Sequence, residues 1–178
     1  MEEKKLVFMC GFMGCGKTTQ GKKLAKEIGY HFIDLDDYIT NQQDKEITEL
    51  FAEVGEEEFR KIETAALNEC INDNLKALIA LGGGTPCFNN NIELLKSSGK
   101  LIYLEMSAEA LYNRLFNPTA KQDRPLVRDK SNEEMLLYVE NLLKVREPFY
   151  KQAQIITDGV TVDIEGLKNK VLNQYSHN

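Results

Sequence analysis

Gly11-Phe12-Met13-Gly14-Cys15-Gly16-Lys17-Thr18 satisfies the pattern G-x-x-x-x-G-K-[ST] at every fixed position and follows directly on the apolar run Leu6-Val7-Phe8-Met9-Cys10. The pattern uses glycines because consecutive backbone N–H groups must turn into one concavity. Its lysine reaches the β- and γ-phosphates of a nucleotide, and its hydroxyl ligates magnesium. The residues that follow, Thr18 to Ile28, read as a helix whose N-terminal dipole faces the phosphates. Strand, glycine loop and helix in this order commit the start of the chain to an α/β fold with a polyphosphate ligand.

The rest of the chain keeps the same alternation. Short apolar runs at Leu6–Cys10, His31–Asp34, Ala77–Leu81, Leu101–Glu105 and Gln154–Thr157 are separated by longer helical patterns, which predicts a parallel five-stranded sheet flanked by helices. Ile47, Leu50, Phe51 and Val54 follow the i, i+3, i+4, i+7 spacing of a helix, and the pattern restarts after Gly55 with Phe59, Ile62 and Ala66. Another helix is predicted from Ser131, which makes a capping-box pattern with Glu134, through Met135, Val139, Leu142 and Val145 to a stop near Pro148. A last helix is predicted from Ile164 to Tyr175. With no internal repeat or linker-like tract, residues 1–178 are expected to form one domain.

Composition removes several function classes. A net charge of −6 argues against a general nucleic-acid surface, which would need a basic stripe. The balance of 42 % hydrophobic and 28 % charged residues suggests neither disorder nor a membrane protein. Cys10, Cys15, Cys70 and Cys87 include no C-x-x-C pair, and His31 and His177 are far apart, so neither zinc nor a disulfide framework is expected. The mixed-charge start Met1-Glu2-Glu3-Lys4-Lys5 does not read as a signal peptide, and a cytoplasmic, thiol-reducing location is the expectation.

A phosphate loop alone does not separate a kinase from a nucleotide-controlled switch, although the chain has no N-K-x-D guanine-reading motif. The third strand runs into Gly82-Gly83-Gly84 without the aspartate that many phosphate-loop proteins place near magnesium, so the acid must come from elsewhere. The second strand ends in Asp34-Leu35-Asp36-Asp37. If that segment is extended, Asp34 and Asp36 project the same way, one supporting magnesium through water and the other accepting a hydrogen bond from an attacking hydroxyl. Equally, Asp36 or Asp37 can cap a helix beginning at Tyr38. Arg60 and Arg146 each have a structural reading, in helix ion pairs and at a helix C-terminus, and a functional one, as guanidinium forks for the carboxylate of a small acceptor. The polar stretch from Asn117 to Lys130, with Pro118, Lys121, Arg124, Pro125, Arg128 and Lys130, reads either as an exposed loop or as a mobile lid spanning about residues 114–130. A bulky reagent on the Cys15 thiol, inside the loop, is expected to block nucleotide binding.

In these residues the chain resembles the shikimate kinases. The resemblance runs in order through Gly11 to Thr18, Asp34-Leu35-Asp36, Gly55 to Glu63, Leu81-Gly82-Gly83-Gly84, Arg124-Pro125-Leu126 and Arg146-Glu147-Pro148-Phe149-Tyr150, nearly the whole chain. It implies a single-domain phosphate-loop kinase that transfers the γ-phosphate of ATP to the 3-hydroxyl of shikimate, with Mg2+ as cofactor. Gly14, Cys15, Gly16, Lys17, Thr18 and Thr19 would cradle the ATP phosphates, Lys17 on the transferred group and Thr18 on magnesium, with Asp34 assisting the metal through water. Asp36 would orient the attacking hydroxyl. Arg60 and Arg146 would clamp the shikimate carboxylate with the backbone of Gly82, Gly83 and Gly84, Glu63 would position Arg60 or the substrate, and Arg124 would reach the ATP phosphates. A monomer with no membrane or nucleic-acid partner is implied. Asp36 is expected to be ionised at neutral pH, with an ordinary aspartate pKa of about 3.9. The stretch between Arg114 and Arg124 is a few residues longer than the family pattern, so Arg114 receives no role from it. Asp158-Gly159-Val160-Thr161 lacks the basic residue of the family's adenine-contacting loop, which leaves the adenine contacts unassigned.

Overall fold

A computed structural model describes residues 4–116 and 132–173. Five strands, β1 (Lys5–Cys10), β2 (His31–Asp34), β3 (Lys76–Ala80), β4 (Lys100–Glu105) and β5 (Ile155–Asp158), form one parallel sheet in the order β2-β3-β1-β4-β5. The central strands are apolar without alternation because helices cover both faces: Leu6 to Cys10, Ala77 to Ala80 and Leu101 to Leu104 are all buried. The edge strands β2 and β5 are shorter and more exposed. Each observed strand starts and ends within one residue of its predicted bounds.

Seven helices occur among the described residues: α1 (Lys17–Ile28), α2 (Leu35–Gln43), α3 (Ile47–Asp73), α4 (Asn91–Ser98), α5 (Ala108–Phe116), α6 (Asn132–Tyr150) and α7 (Ile164–Asn173). The predicted break at Gly55 is real: its backbone sits at φ 77°, ψ 171° inside α3. Beyond it, α3 turns Phe59, Arg60, Glu63, Ala66, Leu67 and Cys70 into the interior.

Two sequence expectations need correction. The segment after β2 is not extended. Asp34 ends the strand and its carboxylate accepts from the Asp36 N–H at 3.1 Å, so the cap of α2 is Asp34 rather than Asp36 or Asp37. The α6 helix runs through Pro148 to end at Tyr150, two residues past the residue near which a stop was expected; Met135, Val139, Leu143 and Tyr150 are buried and Leu142 packs against the core, but Val145, expected on the same face, is 66 % exposed. Proline there removes one donor, and the burial of Tyr150 holds the last turn in place.

The parallel sheet brings all strand ends with their following loops to one edge. Because β1 has β3 on one side and β4 on the other, the loop after β1 opens where the order of the sheet reverses, the usual position of a ligand crevice in such sheets.

Candidate active site

The phosphate loop forms as the motif requires. Gly14 (φ 81°) and Gly16 (φ 97°) occupy the left-handed region that a side chain disfavours, and Gly16 is the N-cap of α1. The Lys17 ammonium donates to the carbonyls of Gly11 at 2.9 Å and Phe12 at 3.1 Å. The Thr18 hydroxyl donates to Asp34 Oδ2 at 2.7 Å, so the two oxygens expected near magnesium are in contact. Cys15 is turned inward, with its N–H on the Phe12 carbonyl and its side chain fully buried. The expectation that a bulky reagent reaches its thiol is therefore overturned; Cys87 is the single cysteine that is not buried.

The acceptor side of the site is organised by the turn Gly82-Gly83-Gly84 after β3. A Cβ at Gly82 would fall 2.9 Å from Glu63 Oε1 and 3.0 Å from Asp36 Oδ1. One at Gly83 would fall 3.2 Å from Arg146 Nη1 and 3.5 Å from the Met13 backbone nitrogen in the phosphate loop. One at Gly84 would fall 2.6 Å from Arg60 Nη2. Three successive positions without side chains thus give two carboxylates, two guanidinium groups and the phosphate loop a common meeting place.

Each of these groups has a physical anchor. Arg60 is 8 % exposed; its Nη1 donates to Glu63 Oε2 at 2.9 Å, and its guanidinium carbon lies 4.3 Å from the centroid of the Phe88 ring. Its Nη2 makes a longer contact, 3.3 Å, with Glu56, and its buried Nε has no hydrogen-bond partner. A buried guanidinium with an unused donor edge suits a planar anion. Arg146 lies 5.9 Å from the centroid of the Phe12 ring, and Tyr150, a turn later on α6, donates its phenol proton to the Gly83 carbonyl. Asp36 departs from the sequence expectation: burial, reinforced by the nearby Asp34 carboxylate and by Glu63 and opposed by Lys17, raises its pKa to about 6.

The phosphate-loop residues, Asp34, Asp36, Arg60, Glu63, Gly82, Gly83, Gly84 and Arg146 are brought together. Arg124 and most of the expected lid lie outside the described residues, and Arg114, placed at the start of that lid by the sequence, belongs to α5.

The chain matches the family model described as shikimate kinase over residues 13–175. The chain belongs to the shikimate kinase family. A shikimate kinase of Azobacteroides pseudotrichonymphae is 49 % identical over 150 residues, covering 84 % of this chain and 87 % of that protein. The crystal structure of the shikimate kinase of Bacteroides thetaiotaomicron superposes with a TM-score of 0.86 at 36 % identity, covering 97 % of this chain and 98 % of that one. The enzyme from Acinetobacter baumannii, solved in complex with shikimate, superposes at 0.80 and 31 % identity over 98 % of this chain and 94 % of that one.

Against this shikimate kinase framework, four residues that the sequence left unassigned join the site. Thr85 and Phe88 anchor Glu63 and Arg60, Tyr150 holds Gly83, and Arg114 donates to Cys15 and Gly159 carbonyls. Their partners are 28 to 99 residues away in the cases of Phe88 and Arg114, which no local pattern could expose.

Proposed function

We infer that this chain is an ATP-dependent shikimate kinase, moving the γ-phosphate of ATP to the 3-hydroxyl of shikimate to give shikimate 3-phosphate and ADP, on the route to chorismate and the aromatic amino acids. The observation that carries the reading is the convergence of Asp36, Glu63, Arg60 and Arg146 on the triglycine turn that abuts the phosphate loop. A carboxylated polyol is the acceptor that such a pocket suits. Two guanidinium groups match its carboxylate and an acid matches its hydroxyls, whereas a nucleotide-controlled switch needs no such pocket.

Phosphoryl transfer asks mainly for alignment and neutralisation of charge. Lys17, resting on loop carbonyls, exchanges them for the phosphate oxygens. Arg60 and Arg146 hold the carboxylate end of shikimate so that the hydroxyl end lies at Asp36. A pKa of about 6 leaves Asp36 mostly ionised at neutral pH yet basic enough to take the hydroxyl proton late in the transfer. Glu63 is assigned to the positioning of Arg60, and Arg124 to the ATP phosphates.

Magnesium fits the residues present. Thr18 and Asp34 offer adjacent hard oxygen donors, and among the described residues no three His, Cys, Asp or Glu side chains come together as a metal cluster. That suits an ion held largely by phosphates and water, and when bound it would neutralise charge on the phosphates. Among the described residues no helix is long and apolar enough to cross a membrane. A cytoplasmic monomer is the reading that accompanies the assignment.

ADP release with and without shikimate is the deciding assay. Release that depends on shikimate, and is not supported by gluconate or a nucleoside monophosphate, is expected; release indifferent to shikimate would remove the assignment.

A further inference from the structure

The short 3₁₀ turn Thr85–Cys87 and the loop leading into α4 grip one turn of α3 at several points. The Thr85 hydroxyl, fully buried, donates to Glu63 Oε1 at 2.6 Å. Phe88 covers the face of the Arg60 guanidinium. Asn89 donates to the Arg60 carbonyl at 2.9 Å, and Asn91, itself 1 % exposed, donates to the Thr85 carbonyl at 3.0 Å and to the Thr64 hydroxyl at 3.1 Å. The loop accepts an uncommon backbone to do so, with Asn89 at φ 51° and Asn90 at φ 58°.

A carboxylate beside an arginine pairs most strongly when both its oxygens face the guanidinium fork. Here it does not. Thr85 holds one Glu63 oxygen, so the pair is single-ended, with only Oε2 on Arg60 Nη1. The guanidinium edge formed by Nη2 and Nε keeps just the 3.3 Å contact to the half-exposed Glu56.

We propose that Thr85 is a positioning residue for substrate recognition: by tying down one oxygen of Glu63 it prevents a two-pronged Glu63–Arg60 pair on Nη1 and Nη2 and keeps the Nη2 donors of Arg60 for the acceptor carboxylate. The proposal rests on the shikimate kinase reading and adds to it a residue that touches no substrate. Valine has nearly the shape of threonine but no hydroxyl, so Thr85→Val frees Glu63 to swing onto Arg60 without opening a cavity.

Steady-state kinetics of wild type, Thr85→Val and Thr85→Ser, with shikimate and its methyl ester as acceptors, test this. In Thr85→Val, KM for shikimate should rise about tenfold or more, the scale of one hydrogen bond to a charged group. KM for ATP should stay within about twofold. The preference of the enzyme for the free carboxylate over the methyl ester should shrink with it, and Thr85→Ser should restore both. A merely structural Thr85 would lower the melting temperature and shift both acceptors and ATP together, and that result, or an unchanged shikimate KM in Thr85→Val, overturns the proposal. Should Thr85→Val fail to fold, Thr85→Ala removes the same donor and is read in the same way. Wild-type turnover indifferent to shikimate would instead defeat the functional reading itself.

Discussion

The Arg114 guanidinium donates to the Cys15 carbonyl inside the phosphate loop at 2.9 Å. Its other terminal nitrogen donates to the Gly159 carbonyl at 3.1 Å, after β5, so a single side chain on α5 braces the phosphate loop against the segment Asp158 to Thr161. That segment is itself folded on Asp158, whose carboxylate accepts from the Val160 N–H and the Thr161 hydroxyl, each at 2.7 Å. Removing the brace loosens the nucleotide side of the site and leaves the acceptor side untouched. Arg114→Ala should raise KM for ATP about three- to tenfold, somewhat less than two fully buried charged hydrogen bonds would cost. Shikimate binding measured by titration without ATP should be unchanged; equal loss for both ligands would count against the brace.

Lys17 tests the phosphate loop directly. Its ammonium is satisfied by the Gly11 and Phe12 carbonyls, so its charge is held at the mouth of the loop and not in the core. Lys17→Met should lower turnover by at least about a hundredfold, the scale for loss of one preorganised donor to a developing charge. A melting curve close to wild type should accompany it. Near-normal turnover would mean that the loop does not hold the transferred phosphate.

Asp36 couples activity to stability through pH. Its folded pKa of about 6 lies above its ordinary value, so between roughly pH 4 and pH 6 the folded protein binds more protons at this site than the unfolded chain. The stabilising contribution of the protonated acid is therefore complete below pH 4 and is lost as pH rises through 6. Asp36→Asn removes the buried charge and should be more stable than wild type at pH 7 to 8, by up to about 3 kcal/mol, with the gap closing at pH 4. The same variant should have little kinase activity. In wild type, kcat/KM for shikimate should fall on the acid side with an apparent pKa near 6, since that ratio reports the free enzyme. An acid limb near pH 4 would contradict the burial of Asp36.

How much of this was legible depended on sequence distance. The strands were readable because continuous apolar runs bounded by glycine or aspartate have few other homes in an α/β fold, and the phosphate loop because its chemistry is packed into eight consecutive residues. The start of α2 was not, since Asp34 both ends β2 and caps the helix, leaving no intervening loop to announce it. That overlap also misplaced Asp36, which sits in the first helical turn rather than on an extended edge. On α6 the periodicity places Met135, Val139 and Leu142 correctly toward the core and misplaces only Val145, which looks as apolar as Leu143 and Tyr150 until the surroundings of the helix are known. The raised pKa of Asp36 and the Thr85–Glu63 contact belong to tertiary burial, for which the chain carries no local mark.

Gly84 offers the sharpest structural test of the acceptor pocket. Its backbone, at φ −92°, ψ −19°, is one that alanine adopts freely, so a methyl group there brings no conformational strain of its own. Its effect is contact alone. The added carbon would lie 2.6 Å from Arg60 Nη2 and 2.7 Å from Nη1, and the guanidinium cannot simply swing away because Glu63 and the Phe88 ring hold it. Overpacking of this kind costs about 1–3 kcal/mol, spread between a lower melting temperature and a displaced Arg60. Gly84→Ala should therefore raise KM for shikimate at least about tenfold while KM for ATP, set by the loop after β1, stays within about twofold. If shikimate affinity survives the methyl group in a variant that folds, Arg60 is not the group that binds the carboxylate, and its burial beside Glu63 is structural.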